Sequence, residues 1–221
     1  MGPLLVALPA LAVAVGLAAP LVLGSFSPLE SALLAGLEAA CVFVAALAAV
    51  AIARRVRGRL EALRAIAMRD ELSGVGNYRA LHERIGEEIA RHRRHRREFV
   101  VILIDLDDFK QVNERHGHLA GDQLLAEIGA ALSDEIRRED SVFRQGGDEF
   151  AVVVPETNAE EADELAARLR YRIAHRGFGN DETLPVSATT GFATYPGDGT
   201  DERSLLACAD RHLFAGKAGA R

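Results

Sequence analysis

Every basic residue of this chain lies on one side of a single point. Residues 1–53 hold no Lys or Arg and only two acids, Glu30 and Glu38, whereas all 26 Lys and Arg fall at or after Arg54. The chain therefore divides near Arg54 into two parts of different kinds. Leu4–Leu23 is a run of 20 uncharged residues. As a helix it would span about 30 Å, the thickness of a bilayer's hydrocarbon layer. A second apolar stretch, residues 31–53, is interrupted only by Glu38, and the intervening GSFSP is turn-rich. Residues 1–53 thus read as a transmembrane helical hairpin with spans at about 4–23 and 31–53.

Arg54, Arg55, Arg57 and Arg59 follow the second span at once, and the short loop between the spans has no basic residue. Positive charge stays on the cytoplasmic side, so the carboxy-terminal part and Met1 are both expected inside. The expected location is the inner (plasma) membrane, multi-pass. A cleaved signal peptide fits less well, because a basic n-region is lacking and the apolar run is too long. Glu38 is a costly residue within a span. A span beginning at Ala39 would leave it at the outer interface, which is the preferred reading.

Residues 54–69 place Val56, Leu60, Leu63 and Ala67 at helical spacing, a linker helix. It is too short to specify pairing with a second copy by itself. Beyond it, helix and strand patterns alternate through residues 70–221. Helices are expected over 78–95, 121–138, 159–175 and 204–217. Strands are expected over 99–104, 141–144, 149–154 and 186–193, with a hairpin turn between the second and third. The expected fold class is α+β, a sheet of mixed direction flanked by helices. The net charge of −6 argues against a nucleic-acid partner. Cys41 and Cys208 are too few and too far apart for a disulfide scaffold or zinc site, and Cys208 reads as core.

Three clusters carry chemistry. Asp105-Leu106-Asp107-Asp108-Phe109-Lys110 follows a buried strand directly, where hard oxygen ligands suit Mg²⁺ together with substrate phosphates. Gly146-Gly147-Asp148-Glu149-Phe150 sits in the hairpin, with glycines that permit close backbone approach and two adjacent acids. Asn113 and Asp122 flank Gly117-His118 and Gly121 and can hydrogen-bond a base edge. Each cluster alone also reads as ordinary turn or capping chemistry.

Taken in order, DELSG (70–74), IDLDDFKQVNERHGHLAGD (104–122) and RQGGDEF (144–150) resemble the GGDEF family of diguanylate cyclases over about Asp70 to Arg221. The resemblance implies a palm-like domain, as in polymerases and nucleotide cyclases, at 70–221. It implies condensation of two GTP into cyclic di-GMP and pyrophosphate across a homodimer, with Mg²⁺ or Mn²⁺ as cofactor. It assigns Asp105, Asp148 and the Leu106 carbonyl to the metal, and leaves Asp148 or Glu149 to help deprotonate the 3′-hydroxyl. Asn113 and Asp122 would bind guanine, with His118 close by. Phe109, Lys110, Gly146 and Gly147 would line the substrate, and Lys217 and Arg221, four apart on one helix face, would reach its phosphates. Arg137 and Asp140 match the family's RxxD inhibitory product site, where Arg–phosphate pairing supplies the affinity.

The sequence also departs from the family pattern. Ser73 stands for a usual Thr, VGNYR (75–79) for a Leu-Pro-Asn-Arg-type run, and Gly216-Lys217 for Ala-Lys. Ala220-Arg221 replaces Gly-Arg, and the sequence stops where the family usually continues into a final edge strand. Other readings of the same residues are a cyclic di-GMP receptor without turnover, a cyclase making another cyclic dinucleotide, and a structural partner recruiting a membrane protein. RHRRHRR (91–97) carries five Arg within seven residues; it reads as a solvated helix end in preference to a lipid contact. His116 and His118 lack the further ligands of a metal site.

Overall fold

A computed structural model describes residues 27–95, 97–175 and 186–219. The expected first span, residues 4–23, and Arg221 lie outside the described residues. The chain forms two compact units, Met1–Ala65 and Ile66–Arg221.

Helix α1 runs without a break over Pro28–Ala67, 40 residues. Ser27 and Glu30 open it with a capping box: the Ser27 N–H and Oγ donate to Glu30 Oε2, and the Glu30 N–H donates to Ser27 Oγ. Pro28–Glu61 is long and apolar enough to cross a membrane by length and composition, and it is the one such helix among the described residues. The second expected span and most of the linker are therefore one helix; nothing in 53–55 has the chemistry to stop it.

In the second unit α2 (Tyr78–His95) leads to β1 (Phe99–Leu106), α3 (Phe109–His116), α4 (His118–Glu135), β2 (Ser141–Gly146), β3 (Glu149–Pro155), α5 (Ala159–His175), β4 (Ala188–Tyr195) and α6 (Glu202–Gly219). The four strands lie in the order β2-β3-β1-β4. The expected mixed sheet is corrected here, because all three ladders are antiparallel. Alternating helix and strand patterns suggest parallel neighbours. β1 and β2 do run the same way, but β3 lies between them, so no parallel pair of strands forms.

β1 is buried at all eight positions because helices cover both faces of the sheet. Its even residues, Val100, Ile102, Ile104 and Leu106, share a core with Leu124, Ile128 and Leu132 of α4 and Leu165, Leu169 and Ile173 of α5. Its odd residues, Phe99, Val101 and Leu103, share the other core with Leu81 and Ile85 of α2 and Leu205, Ala209 and Leu213 of α6. The two-residue period of a strand thus puts Asp105, the next odd residue, on the α6 side.

Two differences from the expected elements bear on the site. The turn expected after β1 contains a helix of its own, α3, and α4 starts three residues earlier than its Leu/Ile period suggests. Gly117, at φ 83° and ψ 160°, is the only residue between them. A side chain would not tolerate that backbone, so glycine lets two helices abut.

Candidate active site

The candidate site sits where β1 and the β2–β3 hairpin end. Asp105 is 8% exposed and stands directly opposite Glu149 of β3 and Thr189 of β4 in the ladders. Asp105 and Glu149 share the α6 face by strand period. Lys217, on α6, donates from Nζ to Asp105 Oδ1 at 2.6 Å.

Close backbone approach carries Lys217 there. A side chain at Gly191 of β4 would meet Leu213 N at 2.2 Å and Ala209 O at 2.3 Å. One at Gly216 would meet Thr189 Cγ2 at 2.9 Å. Helix α6 therefore lies flat on β4, and Leu205, Ala209, Leu213 and Lys217, spaced by four, share its inner face.

The hairpin tip presents the second group of acids. Gly147 takes φ 53°, a left-handed turn residue, and Asp148 O accepts the Leu106 N–H at 3.3 Å. Burial raises the Glu149 carboxyl above its ordinary value. The charges of Asp105, Asp148 and Asp210 push the same way, and Lys217 opposes them. Several carboxylates thus repel one another beside one ammonium, an arrangement that favours added positive charge. A cleft of about 270 Å³ beside Glu149 is lined in part by Gln145, Leu206, Asp210 and Leu213.

Arg144, of β2, braces the hairpin. Its Nε and Nη2 donate to Gly147 O at 3.0 and 2.8 Å, and its Nη1 donates to Asp70 Oδ1 and Oδ2 at 3.0 and 3.2 Å. Asp70 also accepts the Ser73 N–H and Oγ. Burial would raise the Asp70 carboxyl, but the Ser73 bonds and Arg144 outweigh it and hold it below its ordinary value. The hairpin is further sewn to this turn by Gly76 N–H to Val142 O and Arg144 N–H to Gly76 O.

The nucleotide-edge candidates lie on two helices packed together, Asn113 on α3 and Asp122 on α4. A side chain at Gly121 would meet Asn113 Oδ1 at 2.0 Å and Phe109 Cζ at 3.2 Å, so glycine there lets Asn113 come up against the backbone next to Asp122. Phe109 packs on the α4/α5 core. Lys110 is exposed and lies 3.6 Å from Glu114, and His118 is exposed at the start of α4.

Arg137 and Asp140 close a separate turn before β2. The Arg137 N–H donates to Asp140 Oδ2 at 2.9 Å, and Arg84 of α2 donates to Glu139 O. Asp140 is buried, and its Oδ1 has no hydrogen-bond partner among the described residues. Burial raises its carboxyl despite Arg137 and Arg84. The turn is therefore built, but it is not part of the Asp105–Glu149 cluster. His92, within the run read as a solvated helix end, is instead 1% exposed beside buried Glu88.

The acids, glycines and base-edge residues come from the sequence motifs. The motifs do not single out Arg144, Asp107 or Asp210 as site residues. Arg144 sits inside RQGGDEF and Asp107 inside DLDDFK, yet which partner each takes is set by long-range pairing that sequence spacing does not report. Among the described residues no three His, Cys, Asp or Glu converge as a ready-made metal cage.

Residues 67–221 match the family described as "Diguanylate cyclase, GGDEF domain". The chain is 35% identical over 170 residues to diguanylate cyclase DgcP of Pseudomonas aeruginosa, covering 76% of this chain and 25% of that protein. It is 35% identical over 150 residues to diguanylate cyclase DosC of Escherichia coli, covering 67% of this chain and 32% of that protein. Its fold is similar to diguanylate cyclase SiaD, solved with its activator SiaC from Pseudomonas aeruginosa (TM-score 0.73, 30% identity, 87% of this chain and 74% of that one). The chain belongs to the GGDEF family of diguanylate cyclase domains. It spans between a fifth and about a third of the length of the curated relatives it matches.

Proposed function

We propose that this chain condenses two GTP into cyclic di-GMP and two pyrophosphates, working as a homodimer with one GTP per protomer. The observation that supports this most is the meeting of Asp105, Glu149 and Lys217 at the sheet end beside the Gly146–Asp148 turn.

The donor set fits a small hard cation. Mg²⁺ characteristically takes one or two carboxylates and completes its shell with water and substrate phosphates. Asp105 and Asp148, with the Leu106 carbonyl, would hold Mg²⁺ or Mn²⁺. When bound, the cation supplies charge stabilisation to the phosphates.

Phosphoryl transfer asks the protein mostly for position and charge. Asn113 and Asp122 hold the guanine edge, with His118 beside them. Phe109 and Lys110 belong to the turn that cradles the phosphates, and Gly146 and Gly147 let the hairpin backbone approach them. With a cation held at Asp105, Lys217 would be free to reach the phosphates, and Arg221, four residues further along the sequence, would join it. Glu149, its carboxyl raised by burial and by the neighbouring acids, or Asp148 accepts the proton of the 3′-hydroxyl. Arg137 and Asp140 bind product and restrain the enzyme. Residues 70–221 form the catalytic domain. Residues 54–69 link it to a membrane anchor over 1–53, built from spans at 4–23 and 31–53, with the catalytic domain cytoplasmic.

The full chain in detergent should release pyrophosphate from GTP only with Mg²⁺ or Mn²⁺ present. Asp148→Ala should lower that rate at least a hundredfold, the usual order for losing a group that acts on the transition state. Undiminished release from Asp148→Ala would refute the proposal.

A further inference from the structure

Asp107 lies two residues past Asp105, where pairing of β1 has ended. Ser187 Oγ donates to its Oδ2 at 2.7 Å, Thr189 Oγ1 donates to its Oδ1 at 2.8 Å, and its own N–H donates to Ser187 O at 2.9 Å. The β1–β4 ladder stops at Leu106 opposite Ala188. Asp107 carries that contact one residue further, using its side chain where the ladder no longer serves.

The next residue is one that must be held in place. Asp108 adopts φ 56° and ψ 23°, and α3 begins immediately after it. A left-handed conformation is uncommon at any residue with a side chain, though least so at Asp and Asn, and its surroundings hold it in place. Among the described residues no side chain caps the first turn of α3. The Gln111 N–H turns back to Asp108 O at 2.8 Å, and the Phe109 and Lys110 N–H groups ahead of it, at the positive end of the helix dipole, are those an anion would meet.

We propose that Asp107, gripped by Ser187 and Thr189, is the positioning residue for the phosphate turn. It fixes the left-handed step at Asp108 and so aims the start of α3 at the β- and γ-phosphates. This rests on reading that turn as the phosphate cradle of the GTP site. Asn113, further along the same helix, has a hold of its own in the close approach at Gly121. Loss of the Asp107 grip should therefore weaken the triphosphate end and spare the base end.

The test is equilibrium dialysis of the full chain in detergent against GTP and against GMP, with Ca²⁺ replacing Mg²⁺ as a larger, geometrically looser oxygen-seeking ion. Asp107→Ala and Thr189→Ala should bind GTP at least tenfold more weakly and GMP within twofold of the unaltered chain. Thr189→Ser, which keeps the hydroxyl, should restore GTP binding. If Asp107→Ala does not fold, Ser187→Ala, which removes one exposed hydroxyl, carries the test with a smaller, threefold loss for GTP alone. GTP and GMP weakening together, neither weakening, or Thr189→Ser binding no better than Thr189→Ala would overturn the proposal and leave the GTP site standing. An unaltered chain that binds neither nucleotide would overturn the functional reading and this proposal with it.

Discussion

At the scale of single residues, Asp140 sets stability against a binding role. Burial raises its carboxyl, with Glu139 adding to the effect and the Arg137 N–H, Arg137 and Arg84 opposing it. A carboxyl raised on folding favours the fold at pH below its unfolded value near 4, and that contribution is lost as pH rises through the folded value. Asp140→Asn removes the buried charge. It should raise Tm by roughly 2–4 °C at pH 7, about 1 kcal/mol, and change it less at pH 4. The same variant should weaken cyclic di-GMP binding at least tenfold by dialysis. A lower Tm at pH 7 would contradict the account of its burial. Residues of this kind were legible in the sequence by type and spacing. Asp105, Asp148 and Glu149 announced themselves as acids at a strand end and a hairpin tip. Arg144 did not, because its partner Asp70 lies 74 residues away and nothing local marks the pair.

At the scale of elements, the β2–β3 hairpin depends on that pair. The Arg144 and Asp70 side chains are 12% and 22% exposed. Arg144→Ala removes both guanidinium donors from Gly147 O and leaves Asp70 with Ser73 alone; it should cost about 2 kcal/mol or more in urea unfolding, with kcat falling more than KM rises. Asp70 titrates below its ordinary value, so its contribution is present above pH 4 and lost as pH falls through the folded value. Asp70→Asn should accordingly flatten the acid limb of the stability profile, which thermal melts between pH 3 and 7 would record. Helix α6 depends in the same way on Gly191. Ala there would drive a methyl into the backbone of Leu213 and Ala209, lift α6, and cost about 3 kcal/mol. An unchanged Tm would contradict the packing. Most elements were legible because their period is strong: α2 and α5 start and end as their Leu and Ile spacing implies. α3 was not. Only Phe109 and Val112 of its eight residues pack on the core, and none is fully buried, so it carries almost no hydrophobic period. The β2–β3 hairpin was legible from its short turn, but the antiparallel pairing of β1 with β3 and β4 was not, because those strands lie far apart in the chain.

At the scale of the whole molecule, the proposed enzyme combines an apolar helix, a catalytic domain and a second copy of itself. The proposed membrane anchor would confine protomers and raise their effective concentration, which would favour a reaction needing two sites face to face. A mixed dimer holding one Asp148→Ala protomer should be inactive, since each protomer must supply its own bound GTP. Adding that variant in excess to the unaltered chain should suppress its rate severalfold. The most direct test of the central claim is the identity of the product. The full chain in detergent, given equal GTP and ATP with Mg²⁺, should yield one dinucleotide whose mass is that of cyclic di-GMP, with two pyrophosphates released per molecule. A mixed or adenine-only dinucleotide, or binding of cyclic di-GMP with no product formed, would contradict it.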